Sequence, residues 1–141
     1  MAVTSQLSLF LQNEAGSLNK ACQVLAKNNI NIITLSLADT REYGILRLLV
    51  QEQEKAQNLL AQAGFVVKNT PVLVVPIPDQ PGGLAAILAA LDRENINVLY
   101  MYAFPSGKDG KALMVFRFEE PEKALAVLEN AGFATLDAGA F

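Results

Sequence analysis

The chain repeats itself, and this constrains its fold more than any other feature. Asn13-Glu-Ala-Gly16-Ser-Leu18 returns as Asp79-Gln-Pro-Gly82-Gly-Leu84 at an offset of 66 residues. The same offset carries Leu25 onto Leu91 and Asn29-Ile-Asn-Ile32 onto Asn95-Ile-Asn-Val98. Further on, Glu54-Lys-Ala56 matches Glu122-Lys-Ala124 and Ala63-Gly-Phe65 matches Ala131-Gly-Phe133, now at an offset of 68. Seven of twelve positions agree between 54–65 and 122–133, more than chance supplies. The two extra residues fall between Val98 and Glu122. The turn residues Pro105–Gly110 form a longer stretch than Thr40–Gly44 and accommodate them. A period this long excludes solenoid repeats. The 141 residues therefore divide into two copies of one unit, 1–70 and 71–141. A domain of about 70 residues is marginal alone, so the copies are expected to share an interface.

Within the first copy, Leu7, Leu9 and Leu11 alternate and predict a strand over 5–11. Turn residues at 13–16 lead into a helix from Ser17, with Leu18, Cys22, Leu25 and Ala26 at helical spacing, closing near Asn28-Asn29. Ile30–Leu37 reads as a second strand, Asp39–Gly44 as a turn and Ile45–Val50 as a third strand. Ala56, Leu59, Leu60 and Ala63 give a second helix stopped by Gly64, and Phe65-Val-Val67 opens a fourth strand. The second copy repeats this order, with strands at 72–77, 97–104, 113–118 and 133–136. Its helix faces carry Leu84, Ile87, Leu88 and Leu91, then Ala124, Val127, Leu128 and Ala131. Pro71, Pro76 and Pro78 predict an irregular edge on its first strand. The fold class is α+β: two ferredoxin-like βαββαβ units, each an antiparallel sheet with both helices on one face. The other face needs a cover, and the second copy is the natural candidate.

Composition narrows the function. Apolar residues at 52% and charged residues at 18% exclude a disordered chain. The longest apolar run, Val72–Ile77, contains Pro76 and is too short for a membrane span. Met1–Thr4 has no signal-peptide character. The sequence contains no histidine, so a histidine base, a Ser-His-Asp triad and a His-ligated metal are all excluded. The single cysteine, Cys22, excludes an internal disulfide and fits a reducing cytoplasm. A net charge of −3 without a Lys/Arg cluster argues against nucleic acid and anionic membrane as partners. No cofactor, metal or catalytic residue is expected.

The repeated turn is the informative place. Gly16 and Gly82 allow positive φ or a close ligand approach, and the helix that follows presents N–H groups and a positive dipole end suited to a carboxylate. Eighteen residues after Asn13 and Asp79 come Asn31 and Asn97, which the return of the helix is expected to bring near the sheet end. Their carboxamides, with the carboxylate of Asp79, suit the charged groups of an amino acid. The other roles open to them are helix caps for Asn13 and Asp79 and turn closure for Asn31 and Asn97.

The element order, the Asn/Asp-x-x-Gly turn and the Asn-Ile-Asn-Ile run resemble the ACT domain, a small-molecule regulatory module, over both halves of the chain. In serine-regulated ACT domains of phosphoglycerate dehydrogenase, an Asn-x-Pro-Gly turn and a second Asn hold the effector. The matching positions are Asn13 with Asn31 and Asp79 with Asn97; Gly16 and Gly82 match the glycine. That group also uses a histidine two residues before the turn, where this chain has Leu11 and Ile77, which suits a different or larger ligand side chain than serine.

The resemblance implies a ligand held between two units. One side is the turn residues Asn13, Glu14, Ala15, Gly16, Ser17 and Leu18, or Asp79, Gln80, Pro81, Gly82, Gly83 and Leu84. The other side is Asn31 with Ile32, or Asn97 with Val98, Tyr100 and Met101. Ile33, Leu35 and Tyr102 extend the wall, and the aromatic run 100–104 suits a neutral apolar amino acid; packing is its other role. The implied protein is a non-catalytic sensor, a homodimer, acting on a regulated protein not identified by the sequence. A ligand-free interaction module of the same fold is the alternative, and a small enzyme using Asp79 and the tyrosines ranks last. Cys22 reads as core. Gly82-Gly83 lacks the remainder of a phosphate-binding motif. Glu52, Glu54, Glu119, Glu120 and Glu122 fit helix starts without a catalytic role, and Asp39 and Arg41 fit a solvated hairpin tip.

Overall fold

Leu7, Leu9 and Leu11 all fall on one face of strand β1 (Thr4–Gln12), and all three are buried. In the computed structural model, residues 3–39, 42–137 and 139–141 are described. Arg41 and the side chain of Asp39 lie outside them. After β1 come α1 (Ser17–Lys27), β2 (Ile32–Asp39), β3 (Tyr43–Val50), α2 (Gln53–Gln62) and β4 (Val66–Pro78). Then follow α3 (Gly83–Arg93), β5 (Val98–Ala103), β6 (Lys111–Phe118) and α4 (Pro121–Asn130). The chain forms two compact units: Ser5–Thr70, and Pro71–Phe141 with the chain start up to Thr4. β4 carries the chain from one unit into the other.

In the first unit β3 lies between β2 and β1, antiparallel to both. Leu7 faces Leu48 and Gln12 faces Tyr43 on one side; Ile32 faces Val50 and Asp39 faces Gly44 on the other. Period-2 alternation sends Leu7, Leu9, Leu11, Leu46, Leu48 and Val50 to one face, where Ala21 and Leu25 of α1 and Ala56 and Leu60 of α2 close the core. Both helices thus occupy one sheet face. Leu18 begins the apolar stripe of α1 but is 36% exposed, and Cys22 is half-buried beside the core rather than in it. Gln6 and Ser8, on the alternate positions of β1, are buried too, and the Gln6 amide donates to Ser8 Oγ at 2.9 Å.

The second unit repeats the plan. β6 lies between β4 and β5, with Leu73 opposite Phe116 and Val98 opposite Phe118. Leu73, Val75, Ile77, Met114, Phe116 and Phe118 meet Ile87 and Leu91 of α3 and Ala124 and Leu128 of α4. The strand expected at 133–136 is a single bridge, Leu136 to Val74, in which Leu136 N–H donates to the Val74 carbonyl at 2.8 Å. Pro76 and Pro78 share that edge with Val74 and have no N–H to offer, so pairing stops at one rung. Pro76 and Pro78 nevertheless sit in unbroken register with Leu113 and Lys111 on the β6 side.

Candidate functional site

The two turns between first strand and first helix are closed by the same bonds. Asn13 N–H donates to the Glu42 carbonyl at 3.1 Å, and Asp79 N–H to the Gly110 carbonyl at 3.3 Å. Both acceptors belong to the hairpin joining the second and third strands of the unit, a contact the sequence did not signal. Glu14 N–H reaches the Gln12 carbonyl at 2.8 Å and Gln80 N–H the Pro78 carbonyl at 3.0 Å. Lys20 N–H bonds the Gly16 carbonyl at 2.9 Å and Ala86 N–H the Gly82 carbonyl at 3.0 Å, opening each helix.

Gly16 and Gly82 are the N-caps, in the left-handed region at φ 93° and 84°. The N-cap position itself is glycine in both helices, not Asn13 or Asp79, so the capping residue contributes no side-chain bond. A Cβ at either glycine would meet nothing within 4 Å. The need for glycine is therefore the dihedral angle itself. Alanine at Gly16 or Gly82 is expected to cost about 1–2 kcal/mol each, read as a lower urea midpoint at unchanged m-value.

Charge separates these helix starts from the others. α1 and α3 carry no acidic residue in the first turn. α2 and α4 carry Glu54 and Glu122 there, after N-caps Glu52 and Glu120. No acidic side chain within α1 or α3 thus meets its positive dipole end; the acids nearest in sequence, Glu14 and Asp79, precede the caps. Asn13, Glu14, Ala15 and Gly16 are exposed, as are Asp79, Gln80, Pro81 and Gly82, whereas Ser17 and Leu84 are half-buried and Gly83 is buried. Leu11 and Ile77, in place of the histidine, are core residues.

Asn31 and Asn97 are exposed, each just before its strand. Neither lies beside the turn of its own unit. Gln12 pairs at Tyr43 and Ile32 at Val50, the two ends of β3, which are about 24 Å apart at a strand's rise per residue. Pro78 pairs at Lys111 and Val98 at Phe118, giving the same separation in the second unit. The helix returns the chain to the sheet end where the first strand began, opposite the turn. The expected meeting of Asn13 with Asn31, and of Asp79 with Asn97, therefore does not occur within a unit. The αL residues that close the turns after α1 and α3 are instead Asn29 and Asn95, at φ 57° and 55°. Ile32, Val98 and Met101 pack against their unit's core, Tyr100 and Tyr102 are half-buried, and Leu35 is 43% exposed. Among the described residues no group of three or more Cys, Asp or Glu could hold a metal ion, and no helix is long and apolar enough to cross a membrane.

Two units in βαββα order, the second closed by a single bridge in place of a last strand, each with a glycine-capped turn after its first strand and both helices on one sheet face, define a tandem ferredoxin-like protein. The chain belongs to the ACT domain pair family, whose model matches residues 1–136. ACT domains are regulatory modules. A crystal structure of a protein from Bacteroides thetaiotaomicron is 36% identical and superposes with a TM-score of 0.92, covering 98% of this chain and 94% of that one. The ligand-free regulatory subunit of aspartate kinase from Thermus thermophilus shares the fold at 17% identity and a TM-score of 0.64, over 94% of this chain and 98% of that one. The corresponding subunit from Thermus flavus does so at 17% identity and a TM-score of 0.60, over 92% and 95%. No curated protein sequence matches the chain.

Proposed function

We propose that this protein is a non-catalytic cytoplasmic regulator, built of domains 1–70 and 71–141, that binds a free amino acid reversibly. One observation carries the reading. The helix starts after Asn13 and Asp79 are glycine-capped and free of acidic residues in the first turn, while α2 and α4 are acidic there. A carboxylate held by the helix end alone fits the first pair better than the second, where it would need a side-chain cation beside it. Because Asn31 and Asn97 lie at the far end of their own units, a ligand touching both a turn and one of these carboxamides takes them from different units.

A second copy of the chain is the proposed partner in that arrangement. β2 ends the strand order of the first unit, and its Leu35 and Leu37 are 43% and 51% exposed. An open edge flanked by apolar side chains favours strand pairing. The ligand acts by stabilising one packing of the units over another, to the extent that its affinity differs between them. The output passes to a separate regulated protein. The two Thermus structures that share the fold are named as regulatory subunits of aspartate kinase.

A thermal-shift screen against the twenty amino acids tests this. A ligand at 100 times its dissociation constant adds about 2.7 kcal/mol and raises Tm by several degrees. Asn31→Ala and Asn97→Ala are expected to weaken that response. If calorimetry with every amino acid is flat, the ligand-free interaction module, favoured by exposed Leu35 and Leu37, takes its place.

A further inference from the structure

At the end of the second unit remote from the Asp79 turn, the start of β5 and the end of β6 meet the start of α4. They border an open groove of about 280 Å³ lined in part by Asn95, Asn97, Glu119, Glu120 and Lys123, all exposed. Its apolar wall is Ile96, Leu99 and Phe118. Phe118 is 1% exposed, and Leu99, at 45%, stands open at the rim. The size is close to the lower bound for small-molecule sites. Apart from Asn97, the sequence offered none of these polar side chains as a ligand contact.

The repeat supplies a comparison within the chain. Lys123 and Glu120 correspond to Lys55 and Glu52 at the offset of 68. In the first unit Lys55 Nζ lies 3.9 Å from Glu52 in an ion pair. The shallow groove there is lined by Glu52 and by α2 residues, Lys55 among them, without the Asn29–Asn31 segment. In the second unit no ion pair joins Lys123 to Glu120 among the described residues. Lys123, Glu119 and Glu120 face the groove together with two carboxamides.

We propose that this groove is a binding site for the zwitterion of an apolar α-amino acid. Glu119 and Glu120 receive the ammonium, with the Asn97 carboxamide oxygen as a further acceptor. Lys123 pairs with the carboxylate. The side chain lies against Ile96 and covers Leu99, which gives it apolar area to bury. The site rests on the amino-acid-binding reading and shares Asn97 with it but needs neither turn, so shifts at 118–123 tell the two apart.

The test is an amide NMR titration of the full chain with L-leucine, then with L-isoleucine, L-valine, L-methionine and L-phenylalanine. The expected result is saturable shifts at residues 95–99 and 118–123. The affinity is expected to fall about tenfold or more in Lys123→Ala and in Glu119→Gln/Glu120→Gln, with partial rescue in Lys123→Arg. 3-Methylbutylamine and 4-methylpentanoate, each lacking one charge of leucine, are expected to bind at least tenfold more weakly. Equal binding of leucine and either analogue overturns the zwitterion assignment. Shifts confined to 13–18 or 79–84 overturn the site and leave the amino-acid reading standing. No shift with any of the five overturns the site, whereas silence across all twenty removes the reading as well. The substituted residues are exposed, and their own spectra report whether the fold is kept.

Discussion

Replacing Phe116 by alanine is expected to destabilise the second unit by about 3–5 kcal/mol, a large share of the ~5–15 kcal/mol that holds a typical domain. Phe116 is fully buried on β6, with Leu73 on β4 and Met101 on β5 directly across from it. Its ring stacks on Phe118 at 5.8 Å between centroids. Truncation removes apolar surface from the middle strand, where neighbours on both sides and helices above limit collapse into the gap. The repeat provides the control. Leu48 occupies the equivalent place on β3, fully buried between Leu7 and Leu35. Leu48→Ala is expected to cost about 2–5 kcal/mol by the same cavity argument. Hydrogen exchange resolves the two: Phe116→Ala should raise exchange first in β6, Leu48→Ala first in β3. A loss under about 1 kcal/mol for Phe116→Ala would mean the core is not packed as described.

The elements were legible because their apolar periodicity agrees with their burial. Leu7, Leu9 and Leu11 alternate and are all core; Ala56 with Leu60, and Ala124 with Leu128, keep helical spacing and are buried. Burial departs from periodicity where a position lacks neighbours. Leu35 and Leu37 lie opposite Leu48 and Leu46 on the helix-bearing face, yet β2 is a terminal strand and leaves them exposed. The last strand was overestimated for a related reason. Phe133–Leu136 has strand character, but Pro76 and Pro78 take away the donors it would have paired with.

The site was legible in part. The glycine of each turn followed from the repeat, and Gly16 and Gly82 adopt the positive φ their residue type permits. The pairing of Asn13 with Asn31 did not follow, because spacing along a chain does not give the end of the sheet at which a residue emerges. The direction of β1 and the antiparallel return of α1 decide that, and they put Asn31 beside Val50 rather than Tyr43. Glu119 and Glu120 fit ordinary helix-start charges, and Lys123 carries no signal of its own in the sequence. What brings them together with Asn97 is the pairing of Val98 with Phe118, a long-range register that no local pattern encodes.

Gly83→Ala is the other substitution with a large expected effect, and it separates two turns that look alike in sequence. Gly83 is the first residue of α3 and is buried. A Cβ placed there would lie 2.1 Å from the Pro78 carbonyl oxygen and 3.2 Å from its carbon. Neither atom is the free end of a flexible side chain, so the helix start has to move away from β4. Overpacking of this kind costs about 1–3 kcal/mol and upward. The first copy has Ser17 at the equivalent position, half-buried and with its Cβ accommodated, after Gln12 in place of Pro78. Exchanging the two residues therefore has unequal outcomes. Gly83→Ser is expected to lower Tm by more than Ser17→Gly, which costs only the ~0.5–1 kcal/mol of a glycine near a helix start. The consequence extends to ligand binding. Gly82 and Gly83 set where the first N–H groups of α3 point, so a ligand anchored at the second turn loses affinity in Gly83→Ala, while one anchored at the first turn does not. Denaturant unfolding with and without the amino acid that raises Tm reads both effects. Stability within about 0.5 kcal/mol of the parent in Gly83→Ala would show that the close approach of α3 to Pro78 is not maintained in solution.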